Sequence, residues 1–385
     1  MRMPLAAFMA PVVAVICVSL GACGASSGGS FPDQGEGGAS SGSGGSGGGS
    51  SGSSSGGGAS SSGGGSSGAG SSSGSASSSG GSSSGSTGCT TNTGPISGSV
   101  GASGGSISRL VFAIVGDTRP AGEDDGTYPT TVINPIYQDI QNLSPRPAFV
   151  VGTGDYQFSN ASSGTGAQQV GIYMQARALY SGAFFPAMGN HECGVSGGFS
   201  TSDNNNCGPG NQGGATVNYN AFMDQMLKPI SQSNPYYAVN VNASDKSWTA
   251  KIVVTAANAW DSAQQSWLTT TMAQKTTYTF VVRHEPSDAY PPLPPGVAGV
   301  DAVLASAPYT LLLTGHSHTY GHWSSAPKVI VMGNGGAPLS SKDYGFGLIS
   351  QRCDGAIVAD EIDYKTGATD SYFHFVVKPD GTATN

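Results

Sequence analysis

Two histidines one residue apart, in Gly315-His316-Ser317-His318, end the apolar run Leu311 to Leu313 of a chain with only six histidines in 385 residues. Similar polar endings follow other apolar runs. Gly116-Asp117 follows "LVFAIV", Gly154-Asp155 follows "AFVV", Gly189-Asn190-His191-Glu192 follows "FFPAM", and Arg283-His284-Glu285 follows "YTFVV". Asp117, Asp155, Asn190, His284, His316 and His318 together offer two carboxylates, one carboxamide and three imidazoles. Imidazole suits Zn, Fe, Ni or Cu, and carboxylate oxygen suits harder ions such as Mn or Mg. So many donors exceed what one tetrahedral zinc needs. They fit two metal ions that share a bridging carboxylate. Two ions about 3.5–4 Å apart can hold a hydroxide between them and clamp the oxygens of a phosphoryl group. Taken singly, each Asp is an ordinary turn residue after a strand, and His284 an ordinary core histidine. Only the joint pattern carries the metal reading.

The elements that must position these residues are legible in the periodicity. The short continuous apolar runs at 110–115, 148–151, 184–188 and 278–282 predict buried strands, and the unit 302–313 leads into the last motif. The segments 131–143 and 166–180 have helical spacing, and "DSAQQSWLTTTMAQ" predicts a helix with Asp261 as its N-cap. Alternating strands and helices predict an α/β fold. In such folds ligand sites gather at the carboxyl ends of the strands, and the interposed glycines let the backbone turn sharply there. The C-terminal stretch 355–377 predicts a β hairpin with no chemistry of its own, in which His374 is structural. Tyr320 and Trp323 follow the last turn and either line the pocket or pack.

The ordered series Gly-Asp, Gly-Asp, Gly-Asn-His-Glu, a lone His after a strand, and Gly-His-Ser-His resembles the calcineurin-like metallophosphoesterases. "QQSWLTTTMAQ", the form "GNHE" and "VIVMGNGGAP" look closest to the purple acid phosphatase-like branch. The resemblance covers most of 110–375. It implies a single catalytic domain with an α/β/β/α sandwich of mixed sheets. It implies that Asp155 bridges two metal ions (Mn, Zn or Fe), that Asp117 and His318 hold the first, and that Asn190, His284 and His316 hold the second. It further implies that His191 contacts the phosphate and protonates the leaving oxygen, with Glu192 orienting it, while a metal-held hydroxide attacks in line.

The sequence departs from that pattern at two positions, both bearing on a further ligand of the first metal. Many members have a His two residues after the first Asp, where this chain has Arg119. Purple acid phosphatases have a Tyr three residues after the second Asp, where this chain has Phe158, which argues against the purple Tyr–iron(III) bond. An arginine cannot ligate, and its fixed charge opposes a nearby cation. Three readings stay open: Arg119 binds substrate phosphate beside a weak first metal, only the second metal binds tightly, or Arg119 turns away to Asp124 or Asp125.

Composition bounds the rest. Residues 24–106 are nearly all Gly and Ser and have almost nothing apolar to bury, which predicts a flexible tether. As a random coil it would span about 50 Å. Residues 1–22, with Arg2 and a short apolar run, read as an export signal. Leu20-Gly21-Ala22-Cys23 resembles a bacterial lipoprotein signal, which implies cleavage before Cys23 and a lipid on its sulfur. The expected division is signal 1–22, tether 23–106 and catalytic domain 107–385. Export implies an oxidising compartment. Of the remaining cysteines, Cys193 and Cys207 bracket one loop and are expected to pair, which leaves Cys89 for Cys353. The net charge is −8, with no Lys/Arg cluster, which disfavours a nucleic-acid surface. The expected protein is a monomeric hydrolase of small phosphate esters, above all phosphomonoesters, exported to the cell envelope and either lipid-anchored or secreted. Alternatives are a phosphodiesterase or nucleotidase of the same fold, or a catalytically weak surface lipoprotein acting as a binding module.

Overall fold

A computed structural model describes residues 94–160, 162–194, 207, 215–289, 293–323, 325–340 and 343–384. Its elements are β1 (Gly98–Gly101), β2 (Gly104–Ile107), β3 (Val111–Val115), α1 (Thr130–Asn142), β4 (Phe149–Gly152), α2 (Gly166–Arg177), β5 (Ala183–Pro186), α3 (Ala215–Phe222), β6 (Tyr237–Ala243), β7 (Thr249–Val254), α4 (Ser262–Ala273), β8 (Tyr278–Val282), α5 (Pro295–Leu304), β9 (Leu311–Thr314), β10 (Tyr320–Trp323), β11 (Ala326–Met332), β12 (Gly345–Gln351), β13 (Ile357–Asp363) and β14 (Thr369–Val377).

The continuous apolar runs are strands buried on both faces, which is why they do not alternate. They build two mixed sheets, one in the order β1-β2-β6-β7-β8-β9-β11-β10 and one in the order β14-β13-β12-β3-β4-β5. Phe112 of β3 meets Phe280 of β8 edge to face, with ring centroids 5.0 Å apart, so the sheets pack on each other through one core. Val253, Val281 and Leu312 point to the opposite face of the larger sheet, where Leu268 and Met272 of α4 and Val300 and Leu304 of α5 cover them. On the smaller sheet, Tyr173 of α2 lies 5.9 Å from Phe184 of β5, and α1 adds Ile133, Ile136, Tyr137 and Ile140. Each such side chain contributes roughly 1.5–3 kcal/mol when fully buried. The result is the helix–sheet–sheet–helix sandwich expected from the resemblance. Asp261 caps α4 as expected, its carboxylate accepting the Gln264 N–H at 2.7 Å.

One expectation changes and two open readings are resolved. Regular structure begins inside the stretch read as tether: β1 and β2 form a hairpin over Gly98–Ile107, and β2 pairs in parallel with β6. The globular part therefore starts before residue 107. The unit 302–313 divides, its first residues closing α5 and its last forming β9. Tyr320 packs rather than lines the pocket: it is buried against Phe373, and its hydroxyl donates to Asp370. The C-terminal hairpin is present as β13 and β14, and His374 meets Asp360 on it, away from the metal-type residues. The signal segment, Cys23 and nearly all of the tether lie outside the described residues. Cys193 and Cys207 are bonded to each other. Cys353 is disulfide-bonded too, and Cys89, its expected partner, lies outside the described residues.

Candidate metal centre

Each polar motif sits just beyond the carboxyl end of a strand: Asp117 after β3, Asp155 after β4, Asn190 to Glu192 after β5, His284 after β8, His316 and His318 after β9. The turns are laced together by the backbone. The Asp117 N–H donates to the Gly154 carbonyl at 3.0 Å, the Thr118 and Arg119 N–H groups donate to the Asp155 carbonyl, and the Gly315 N–H donates to the His284 carbonyl at 2.8 Å. Asp117, Asp155, His316 and His318 all have left-handed backbones, with φ of 53°, 60°, 72° and 45°. Such a conformation costs a non-glycine residue of order 1–3 kcal/mol and persists only where surrounding structure enforces it. Here it aims four donor side chains inward from tight turns. Gly154, at φ 112°, is required twice over, because a Cβ there would lie 2.6 Å from His284 Nδ1.

Four donor atoms crowd one small space. His284 Nε2 lies 3.0 Å from Asn190 Oδ1, 3.2 Å from Asp155 Oδ1 and 3.3 Å from His316 Nδ1. His316 Nδ1 lies 3.1 Å from Asn190 Oδ1. The His284 Nδ1–H donates to the Thr153 carbonyl at 2.8 Å, which fixes the tautomer with Nε2 as the free donor atom. Beside this group, the His318 Nδ1–H donates to the Pro338 carbonyl at 2.8 Å and leaves Nε2 3.6 Å from Asp117 Oδ1. The other Asp117 oxygen accepts the His316 N–H at 2.9 Å, while the buried Oδ1 has no hydrogen-bond partner. Asp117, Asp155 and His284 form a triad whose donor atoms lie within 4.8 Å of one another, as do His284, Glu285 and His316. The structure thus brings together all six residues singled out as metal ligands.

The electrostatics show a centre short of positive charge. Burial and the Asp155 charge hold the Asp117 carboxyl well above the usual range. Burial also works against ionised Asp155, yet His284, His191 and Arg119 hold that carboxyl well below it. Burial opposes charge on His284, but Asp155 and Asp117 outweigh it and hold that imidazole well above the usual range. Burial and the charged His284 push His316 down to about 3. Two buried carboxylates, an unpartnered carboxylate oxygen and ring nitrogens turned toward one another suit a bound cation.

The three residues expected around the metals divide. His191 faces the site, with Nε2 3.7 Å from Asp155 Oδ2 and its ring edge-on to Phe158. Arg119 also faces the site: Nε is 3.9 Å from Asp155 Oδ2, and the guanidinium stacks 4.5 Å over the Phe158 ring. Asp124, a partner the sequence left open for it, instead takes the hydroxyls of Ser159, Ser163 and Thr165. Glu192 does not orient His191. Its carboxylate accepts the backbone N–H groups of Asp155 (3.0 Å), Tyr156 (2.8 Å) and Gly189 (2.8 Å), and so clamps the turn after β4 to the turn after β5. Burial, and then the Asp155 charge, push its carboxyl up to about 7.

Sequence reasoning missed Glu285. It is buried next to the second group of donors, where burial raises its carboxyl above the usual range against the opposing effects of His284 and a bond from Asn258. Its position directly after His284 at a strand end was the available signal.

No family model matches the chain, and no curated protein matches it. Solved structures do match. A purple acid phosphatase from yellow lupin (Lupinus luteus) seeds is 16% identical with a TM-score of 0.51, over 71% of this chain and 54% of that one. This chain therefore spans about half the length of the lupin protein. A dimetal phosphatase from Danio rerio is 14% identical with a TM-score of 0.45, over 68% of this chain and 99% of that one. A 5'-nucleotidase from Candida albicans is 11% identical with a TM-score of 0.38, over 66% of this chain and 51% of that one. At these identities the likeness is one of fold alone, which this chain shares with the lupin purple acid phosphatase.

Proposed function

We propose that the protein is a metal-dependent hydrolase of phosphate esters, acting outside the cytoplasm and preferring monoesters. The observation that carries this is the convergence of Asp155 Oδ1, Asn190 Oδ1, His284 Nε2 and His316 Nδ1 around one small space, with the bare Asp117 Oδ1 beside it. Asp155, Asn190, His284 and His316 would hold the second metal ion, and Asp117, Asp155 and His318 face the first position. A bound metal polarises the phosphoryl group and lowers the pKa of water at the site. The chain supplies the rest. The tautomers set by Thr153 and Pro338 present lone pairs inward, and Glu192 fixes the two turns that carry Asp155 and Asn190. His191, at 3.7 Å from Asp155, stands where it can donate its Nε2 proton to a leaving oxygen. The Arg119 guanidinium, always charged, favours a dianionic monoester over a monoanionic diester.

The cellular placement rests on sequence: the signal-like residues 1–22, Cys23, and the Gly/Ser tether that would hold the domain away from a membrane. The Cys193–Cys207 disulfide supports an oxidising compartment. Among the described residues no helix is long and apolar enough to cross a membrane. The test of the substrate class compares a chromogenic phosphomonoester with the matching diester on metal-loaded protein. A higher kcat/KM for the monoester supports the reading, and a higher value for the diester refutes the monoester preference.

A further inference from the structure

We propose that this centre binds one metal ion tightly and uses Arg119 as its second cation. The inference rests on the metal-dependent reading above. It starts from an asymmetry between the two positions. The second position is complete: Asp155, Asn190, His284 and His316 converge on it, and buried Glu285 lies on that side. The first position has Asp117, Asp155 and His318, but the places of its further ligand hold Arg119 and Phe158. Neither side chain can donate a lone pair to a metal.

Arg119 is also held where it is. It is 1% exposed, its guanidinium lies on the Phe158 ring, its Nη1–H donates to the Pro120 carbonyl at 3.0 Å, and its own N–H is tied to the Asp155 carbonyl. The aromatic face that replaces the expected Tyr is therefore the surface that fixes the arginine, so the two departures act as one. A divalent ion beside Asp117 and Asp155 would sit against a permanent charge in a buried place, where like charges repel strongly. The same charge is useful to a phosphoryl group. A guanidinium can hold two phosphate oxygens at once, and it offsets the charge that a second metal would otherwise offset.

The experiment counts metal on the full chain. The protein is loaded with Mn²⁺, Zn²⁺ or Fe²⁺, dialysed against metal-free buffer, and its metal per chain is measured by mass spectrometry. Calorimetry then titrates further metal. One ion per wild-type chain is expected. Arg119→His removes the charge and supplies a donor; it should retain two ions, with the second equivalent bound at least about tenfold tighter than in wild type. Arg119→Gln keeps a similar shape without the charge or a good ligand. It should gain second-equivalent affinity by less, and should bind inorganic phosphate more weakly in the one-metal form. Two tightly held ions on the wild-type chain overturn the proposal. So does a second equivalent whose affinity is unchanged in both variants. A wild-type chain that holds no metal overturns the metal-dependent reading itself, and this inference with it.

Discussion

Replacing Glu192 by alanine should unfold much of what holds the centre together, by an amount the hydrogen bonds set. The carboxylate is fully buried and is the acceptor for the N–H groups of Asp155, Tyr156 and Gly189. Its removal strands three donors away from water. Each stranded donor costs about 1–3 kcal/mol, so the loss should be roughly 3–6 kcal/mol after partial relaxation. Part of that loss reflects the left-handed backbone of Asp155, which the clamp helps to enforce. Glu192→Gln separates the charge from the shape. A Gln oxygen in the Oε2 place keeps the bonds from Asp155 and Gly189, while its NH₂ group faces the Tyr156 N–H donor. That variant should lose about half as much as alanine. Urea unfolding of the metal-stripped protein gives both values, and calorimetry with Mn²⁺ or Zn²⁺ should show weakened metal binding in step with them. The competing idea, that Glu192 orients His191, predicts near-normal stability and a displaced acidic limb of the pH–rate profile. An alanine variant within about 1 kcal/mol of wild type would refute the clamp. If alanine does not fold at all, the glutamine variant still discriminates.

Other predictions follow from the same geometry. Asp155→Ala and His316→Ala should each lose bound metal and hydrolysis together, as read by metal analysis and a chromogenic assay. His191→Ala should retain metal and lose turnover by about 10²–10⁴-fold, the usual worth of a positioned proton donor; loss of metal in that variant would contradict its assigned place. Gly154→Ala should abolish metal binding with little change in far-UV circular dichroism, because the added Cβ would lie 2.6 Å from His284 Nδ1. Glu361 governs a pH dependence of stability. Burial, partly offset by its bond from Asn334 and reinforced by Asp370, Asp363 and Asp343, pushes its carboxyl up to about 8 from the ordinary 4.5. Between those values the folded chain keeps a proton that the unfolded chain releases, so stability should fall as pH rises from about 4.5 to 8, by on the order of 4–5 kcal/mol. Glu361→Gln should flatten that slope, and a wild-type-like slope in the variant would remove Glu361 from the account.

The metal-type residues were legible because each is a polar break after an apolar run that forms a buried strand; the strands belong to two sheets, and their carboxyl ends meet where those sheets pack on each other. The helix cap at Asp261 was legible for a similarly local reason. What stayed hidden depends on contacts that sequence spacing does not carry. Glu192 reaches back across 36 residues to backbone groups, and no side-chain pattern announces a bond to an N–H. The hairpin at Gly98–Ile107 was masked by its composition. It has only Val100 and Ile107 as buried apolar anchors, and it is held by backbone pairing, which glycine and serine can make as well as any residue. Arg119 and Phe158 were visible as departures, but their stacking, which joins them into one device, was visible only in three dimensions.

The central claim is that the converged donors hold a metal on which phosphoester hydrolysis depends. The most direct measurement strips the full chain with a chelator, verifies by circular dichroism that it remains folded, and follows a chromogenic phosphomonoester while Mn²⁺, Zn²⁺, Fe²⁺ or Mg²⁺ is restored one at a time. The account predicts no turnover in the stripped protein and recovery with at least one of these ions, lost again in His316→Ala. A folded chain that shows no turnover with any ion, or that hydrolyses the ester equally well without metal, would contradict it.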